Sequence, residues 1–464
     1  MADAGGLARL ADLPPRGSSV HLLGAAGAGM RALGQVLVHE GWSVSGSDRD
    51  SRAAAELADL GIRVVPEADT SPVRASRLVV HSSALPPGHP ALRAAAAAGV
   101  PVWKRARALG ALVNDRRLVG VAGTHGKTTV TAMLAVVLEA AGRDPLALVG
   151  GEVPEWGSHA RPGRGEAVVE ADEYDRSFLE LDPALAVVTS LEAEHLECYD
   201  GEDGLREAFV RFANRAVSRD GVLLCADDPG ARALAARIGP ARLYGFAEDA
   251  EYRVEAQPAA AGRMRGVLVT PEGRVELELE VPGRHNLQNA AAAAAAALRL
   301  GVVPRDAARA LARFRGVRRR LQVLHRGGGL TIVDDYAHHP TEVRASIAAL
   351  RTAHPGARLV VAFQPHLYSR TAALAPEFGR ALAGADLALV LPVYGAREAP
   401  LPGVDAALVA REAPPHVREG NAGEALATAR DAGGELVLAF MGAGDVTEVA
   451  RLAAREAGGD ALGA

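Results

Sequence analysis

The chain has 464 residues, more than one ordinary core accommodates, so two to four domains are expected. Its 49% hydrophobic and 23% charged residues, with a net charge of −5, fit a globular protein and argue against a general nucleic-acid partner. Two cysteines, Cys198 and Cys225, exclude a disulfide framework and fit a reducing, cytoplasmic setting, and the apolar runs fall well short of a membrane span.

Residues 1–17 read as a loose lead-in. Val20-His21-Leu22-Leu23 is a buried strand that runs into Gly24-Ala25-Ala26-Gly27-Ala28-Gly29-Met30, with a helix to about Glu40. A second strand, 42–45, ends in Gly46-Ser47-Asp48. A glycine-rich first turn, with an acid after the second strand, is a layout for binding a dinucleotide or nucleotide sugar. The glycine spacing is G-x-x-G-x-G, so it matches the nicotinamide-cofactor fingerprint only weakly. The unit continues through strands at 63–65 and 77–81 to the loop Ser82-Ser83. Residues 102–113 read as a helix, and Asn114-Asp115-Arg116-Arg117 as a linker.

A strand from Leu118 opens the second domain and delivers Gly123-Thr124-His125-Gly126-Lys127-Thr128-Thr129, followed by a helix over 130–141. This is the layout of a phosphate-binding loop. Backbone N–H groups turn onto phosphate oxygens, Lys127 adds positive charge and Thr128 offers a hydroxyl to Mg²⁺. The strict pattern fails at Val121, where it asks for glycine. Val168-Val169 ends in Glu170-Ala171-Asp172-Glu173, and 184–189 delivers Glu192-Ala193-Glu194-His195. Acids at strand ends beside a phosphate loop are where a Mg²⁺ ligand is expected. Strands follow at 222–224 and 242–246. Those at 252–256, 266–270 and 275–281 read as antiparallel. An alanine-rich helix over 290–297 reads as a small-residue face packed on a sheet, and a helix over 305–314 closes the domain.

The third domain follows Arg318-Arg319-Arg320. Strands at 330–333, 359–362, 387–391 and 436–440 alternate with helices at 341–353, 372–383, 424–432 and 446–458, which implies a parallel sheet covered on both faces. The strand ends carry Asp334-Asp335-Tyr336-Ala337-His338-His339, Gln364-Pro365-His366 with Arg370, and Met441-Gly442-Ala443-Gly444. The expected class is therefore α/β in three domains. A Rossmann-like domain over 1–117 is expected to bind a dinucleotide or nucleotide sugar. A P-loop domain over 118–314 has a parallel sheet plus a small antiparallel one. A Rossmann-like α/β domain spans 315–464. A nucleotide-type site, a triphosphate site and a charged third edge together suggest a ligase. ATP would phosphorylate a carboxylate, and an amine would attack the acyl phosphate.

With these motifs in this order, nearly the whole chain resembles the Mur ligases of bacterial cell-wall synthesis. Gly283-Arg284-His285-Asn286 with Asn289, and Ser369-Arg370-Thr371, add to the likeness. The family's loop has the form G-T-x-G-K-T, which accounts for Val121. The resemblance is strongest to members that join L-alanine to UDP-N-acetylmuramate with ATP. It implies that Gly27, Gly29 and Met30 lie at the UDP pyrophosphate, with Asp48 and Ser83 near the nucleoside. Gly123, Thr124, His125, Gly126, Lys127, Thr128 and Thr129 would hold ATP phosphates, with Asn286 and Asn289 near adenine and Arg320 near the phosphates. Thr128, Glu173 and His195 would serve two Mg²⁺ ions. Asp335, Tyr336, His338 and Arg370 would form the amino-acid side, and Lys127, His195, His338 and Arg370 would be the catalytic set. Two departures stand out: Leu367, where many relatives have arginine, and Glu194, where many have aspartate.

Three rival functions remain, one of them a nucleotide-gated binding protein without chemistry, which the clustering of charged groups on three domains disfavours. A murein-tripeptide recycling ligase of the same family would carry a basic insertion after the E-x-D-x-x-F stretch, whereas here Asp175-Arg176-Ser177-Phe178 runs on directly to the next strand. A nicotinamide-dependent oxidoreductase would leave Lys127 and Glu173 unused. The expected state is a monomer or weak homodimer without membrane insertion.

Overall fold

In the computed structural model, which describes residues 6–50, 53–259, 262–411, 413–430 and 434–458, the chain forms three sheets. The first is all parallel. Its strands are β1 (Ser19–Leu23), β2 (Ser43–Ser47), β3 (Arg63–Val64), β4 (Leu78–His81) and β5 (Val102–Lys104), in the order β3-β2-β1-β4-β5. The order reverses between β1 and β4, and at such a reversal an open sheet leaves a crevice at its carboxyl edge. The helix Ala28–His39 leaves from there and buries Met30, Leu33, Val36 and Leu37 at helical spacing.

Three expectations are corrected here. Residues 102–113 are strand β5 followed by a helix, Arg105–Val113. A three-residue edge strand is too short to show its period. The lead-in is pinned from Ala8 onward: Arg9 donates to the Asn114 carbonyl and to Asp182 (both 2.6 Å), and Asn114 Nδ2 donates to the Ala8 carbonyl (3.0 Å). The same Asn114 makes 114–117 a staple instead of a free linker. Its amide also bonds Glu180 and Asp182, and Arg117 meets Asp220 with two nitrogens. Polar side chains that reach distant backbone leave no local pattern in the sequence.

The second sheet has ten strands: β6 (Leu118–Ala122), β7 (Leu146–Val153), β8 (Ser158–Arg161), β9 (Ala167–Glu170), β10 (Leu185–Val188), β11 (Gly221–Cys225), β12 (Arg242–Gly245), β13 (Tyr252–Gln257), β14 (Met264–Thr270) and β15 (Gly273–Leu279). The order is β15-β14-β13-β12-β11-β10-β6-β9-β7-β8. Strand β6 lies between β10 and β9, parallel to both, and is buried throughout, so the loop after it is aimed by a rigid element. The β7–β8 pair was not anticipated. Its half-exposed end carries Gly150 and Gly151, which hide strand periodicity. The three strands from Tyr252 onward extend this same sheet at its edge, with β13 parallel to β12. In the helix Arg284–Arg299 all eight alanines from Ala290 to Ala297 are fully buried, so it is packed on every side. Only a small side chain permits such close approach all round.

The third sheet contains β16 (Gln322–Gly327), β17 (Leu330–Asp335), β18 (Arg358–Phe363), β19 (Leu387–Val390), β20 (Val417–Glu419) and β21 (Leu436–Met441), ordered β16-β17-β21-β18-β19-β20. Only β16 is antiparallel to its neighbour. Strand residues alternate between two cores: Val361 and Phe363 face one, Val360 and Ala362 the other. By contact, the chain up to Glu255 with Val267–Leu277 and Gln288–Ala312 forms one unit. Ala256–Gly266, Glu278–Leu287 and the chain from Arg313 form a second. Among the described residues, no helix is long and apolar enough to cross a membrane.

Candidate active site

In the first unit, the loop after β6 is held by the end of β10. Ser190 accepts from the Thr124 N–H (3.1 Å) and its hydroxyl oxygen from the His125 N–H (2.8 Å); the Glu192 N–H donates to Thr124 Oγ1 (2.8 Å). Two glycines are required by geometry. At Gly123 (φ +134°) a Cβ would lie 2.1 Å from Thr189 Oγ1. At Gly126 (φ +81°) it would lie 2.7 Å from Asn289 Oδ1, which places Asn289 against the loop. Lys127 opens the helix Lys127–Ala140 and donates to the Gly123 carbonyl (2.5 Å), the Thr124 carbonyl (3.2 Å) and Glu173 Oε1 (3.0 Å). Burial works against its charge, but Glu173, Asp172 and Glu170 outweigh it and hold the ammonium above the ordinary lysine range. Burial likewise pushes the Glu173 carboxyl up, against the pull of Lys127.

Thr128 donates to Glu170 Oε1 (3.1 Å), whose other oxygen accepts from the Gly150 N–H (2.6 Å). Glu170 is one of the strand-end acids expected near a Mg²⁺, but its pairing with Thr128 was not anticipated. Glu173 and His195 are brought together with Glu194, their ligand-type atoms all within 4.8 Å of one another. Glu173 is 2% exposed, and its Oε2, although 2.9 Å from Lys127 Nζ, lacks a hydrogen-bond partner. Two carboxylates and an imidazole with an orphaned buried oxygen fit a divalent cation. The segment from Tyr174 runs to β10 without an insertion, through a short turn Tyr174–Glu180.

At the carboxyl edge of the first sheet, the Ser47 carbonyl accepts from the N–H groups of Gly24 (3.0 Å) and Ala25 (3.1 Å). Asp48 accepts from the Ala26 N–H (2.9 Å), so it shapes the glycine loop directly. Gly27 caps the helix, and Met30 is 2% exposed with its side chain in the core. A Cβ on Gly29 would lie 3.2 Å from the Arg105 guanidinium, a cation beside this loop that sequence reading missed. Its signal was the pair Lys104-Arg105 at the end of β5. Ser83 donates to Asp175 Oδ2 (2.6 Å).

In the second unit, the end of β17 carries Asp334 and Asp335. Asp335 accepts from Ser346 Oγ and from the Leu321 N–H (3.4 Å); burial pushes its carboxyl up to about 6. The guanidinium groups of Arg319 and Arg320 lie 4.8 and 5.0 Å from the Tyr336 ring, and Arg320 is 3.6 Å from Glu342. His338 Nδ1 lies 3.1 Å from the Tyr336 carbonyl and 3.2 Å from Glu342. The His338 ring packs on those of Tyr336 (5.2 Å) and His366 (6.0 Å), and His366 stacks on Tyr394 (5.8 Å). Burial holds His366 down to about 4, aided by His338 and Arg370. Asn286, in the first turn of its helix, donates its side-chain amide to the Pro282 carbonyl (2.7 Å). Leu367 stands in the left-handed region (φ +69°), and Tyr394 is a further aromatic not expected from the motifs.

Three family models match: the Mur ligase family catalytic domain over residues 19–117, the Mur ligase middle domain over 121–297 and the Mur ligase glutamate ligase domain over 319–447. The UDP-N-acetylmuramate--L-alanine ligase of Arthrobacter sp. (strain FB24) is 46% identical over 84% of this chain and 84% of its own length. The protein of the same name from Kineococcus radiotolerans is 45% identical over 93% of this chain and 94% of its own. The crystal structure of UDP-N-acetylmuramate-alanine ligase from Thermotoga maritima superposes with a TM-score of 0.79 at 26% identity, covering 95% of this chain and 99% of that one. The glycine loop on the first sheet, Lys127 beside Glu173 on the second and the His–Tyr–Arg edge on the third each lie within one of the matched segments, and the chain belongs to the Mur ligase family.

Proposed function

We infer that this chain is an ATP-dependent ligase that joins L-alanine to the lactyl carboxylate of UDP-N-acetylmuramate in peptidoglycan precursor synthesis. A carboxylate oxygen attacks the γ-phosphorus of ATP and ADP leaves. The neutral alanine amine then attacks the acyl carbon, the C–O bond breaks, phosphate leaves with the bridging oxygen, and the amine's proton passes to phosphate or water. The observation that carries this reading is Lys127, held by Glu173 at the mouth of a loop of backbone N–H groups. Such a site places positive charge where phosphate charge develops and asks for little covalent work from the protein.

The roles proposed are those that the family likeness implies. The backbone from Gly27 through Gly29 to Met30 faces the UDP pyrophosphate with Arg105 beside it, and Asp48 and Ser83 serve the nucleoside. Residues 123–129 would cradle ATP phosphates; by the family likeness, Asn286 and Asn289 would serve adenine and Arg320 the phosphates. Glu173 with Glu194 and His195, and Thr128 with Glu170, would hold Mg²⁺, which when bound neutralises charge on phosphate oxygens. Asp335, Tyr336, His338 and Arg370 form the amino-acid side. The corresponding domain division is 1–117, 118–314 and 315–464.

The test is phosphate release by purified protein with ATP, Mg²⁺, UDP-N-acetylmuramate and single amino acids. Alanine-dependent release is expected. Release with the murein tripeptide instead of alanine would select the recycling reaction, and no release with either would sink the ligase reading.

A further inference from the structure

The turn that carries Glu173 is strained and clasped from two sides. Asp175 (φ +53°) and Arg176 (φ +57°) are consecutive non-glycine residues in the left-handed region, and His195 (φ +55°) is a third. Such conformations persist only where neighbours over-determine them. On one side, Asp175 accepts from Ser83 Oγ (2.6 Å) and from Lys104 Nζ (2.9 and 3.1 Å). Ser83 follows β4 and Lys104 ends β5, so both belong to the carboxyl edge of the first sheet. On the other side, Arg176 donates to the Cys198 carbonyl (2.8 Å) and lies over the Tyr199 ring (5.1 Å). The Tyr199 hydroxyl in turn donates to the Glu173 carbonyl (2.5 Å).

We propose that Asp175 is a positioning residue: through it, Ser83 and Lys104 of the sugar-nucleotide edge hold the turn that sets Glu173 against Lys127. The inference rests on the ligase reading for its consequence, since Glu173 would serve the metal at the ATP phosphates. A partly exposed ion pair contributes little to global stability, so the Asp175–Lys104 contact acts on local geometry. It also links the two substrate sites within one unit. A sugar nucleotide that engages Ser83 or Lys104 changes the clasp and with it the Glu173 turn.

The variants are D175N, K104M and the pair together. Asparagine tolerates the left-handed region, so D175N removes the charge while keeping the backbone. Two readouts are independent of turnover: hydrogen–deuterium exchange of amides 173–178, and Mn²⁺ affinity in the presence of ATP by electron paramagnetic resonance. Each single variant is expected to speed exchange and weaken Mn²⁺ about tenfold, the pair no more than either alone. K104R should restore both. Unchanged exchange and affinity in K104M, or losses that add in the pair, would overturn the proposal. If D175N does not fold, K104M against K104R decides it. Wild-type protein that binds Mn²⁺ and ATP but releases no phosphate would defeat the ligase reading alone, because the exchange comparison still stands.

Discussion

Two edges of this molecule set acids beside cations, and they do so in opposite ways. At the phosphate loop, Lys127 and Glu173 are in direct contact and nearly buried, with side-chain exposures of 12% and 3%. At the end of β17, Asp335 is bonded to a hydroxyl and an amide, while Arg319 and Arg320 are carried on the Tyr336 ring. In the first arrangement each charge depends on the other, so one substitution leaves a buried charge without its partner. In the second, the guanidinium groups lie on an aromatic face instead of in direct contact with the aspartate. The contrast separates a buried charge pair from an edge whose aspartate carboxyl is pushed up by burial.

The largest expected effect breaks the first arrangement. Lys127→Ala should lower phosphate release at least about a thousandfold, as loss of a preorganised cation at a phosphoryl group does. Calorimetric binding of UDP-N-acetylmuramate should survive, because the glycine loop lies on a different sheet. Joint loss of both in a folded variant would contradict that separation.

Next comes the neighbour of Lys127. Gly126→Ala forces a Cβ to 2.7 Å from Asn289 Oδ1 at a positive φ. ATP affinity should fall by roughly ten- to a hundredfold, with a stability loss of about 1–2 kcal/mol from backbone strain. An unaltered ATP affinity would mean that Asn289 yields without consequence.

The smallest effect sharpens the second arrangement. Folded Asp335 titrates near 6 and ordinary aspartate near 3.8. Between these values the folded protein keeps a proton that the unfolded chain has lost. Its contribution is therefore present at about pH 4 and lost as pH rises through about 6. Asp335→Asn removes this term. The stability difference between variant and wild type should shift in the variant's favour by roughly 1–3 kcal/mol from pH 4 to 6.5, read by urea unfolding. A difference that stays constant across that window would show that Asp335 does not titrate there.

Much of this was legible in the residues. The Gly123–Thr129 loop announced a triphosphate site because backbone amides, lysine and threonine act over a few adjacent positions. Strand-end acids such as Glu173 were found by the same local logic. The bond between Thr128 and Glu170, and Arg105 beside the glycine loop, were missed. Glu170 matters through Thr128, forty-two residues away, and Arg105 through Gly29 on another element. Asn114 looked like part of a linker for the same reason: its partners are Ala8, Glu180 and Asp182.

The sequence by itself determined the alternation of strands and helices, the buried β6 strand and the loop it delivers, since side-chain period and turn chemistry are local. Tertiary structure alone decided that β21 lies between β17 and β18, that β13 to β15 extend the central sheet, and that Lys127 takes Glu173 while Thr128 takes Glu170. Strand order and pairing among several nearby acids are set by packing energies over the whole fold, which no window of neighbouring residues contains.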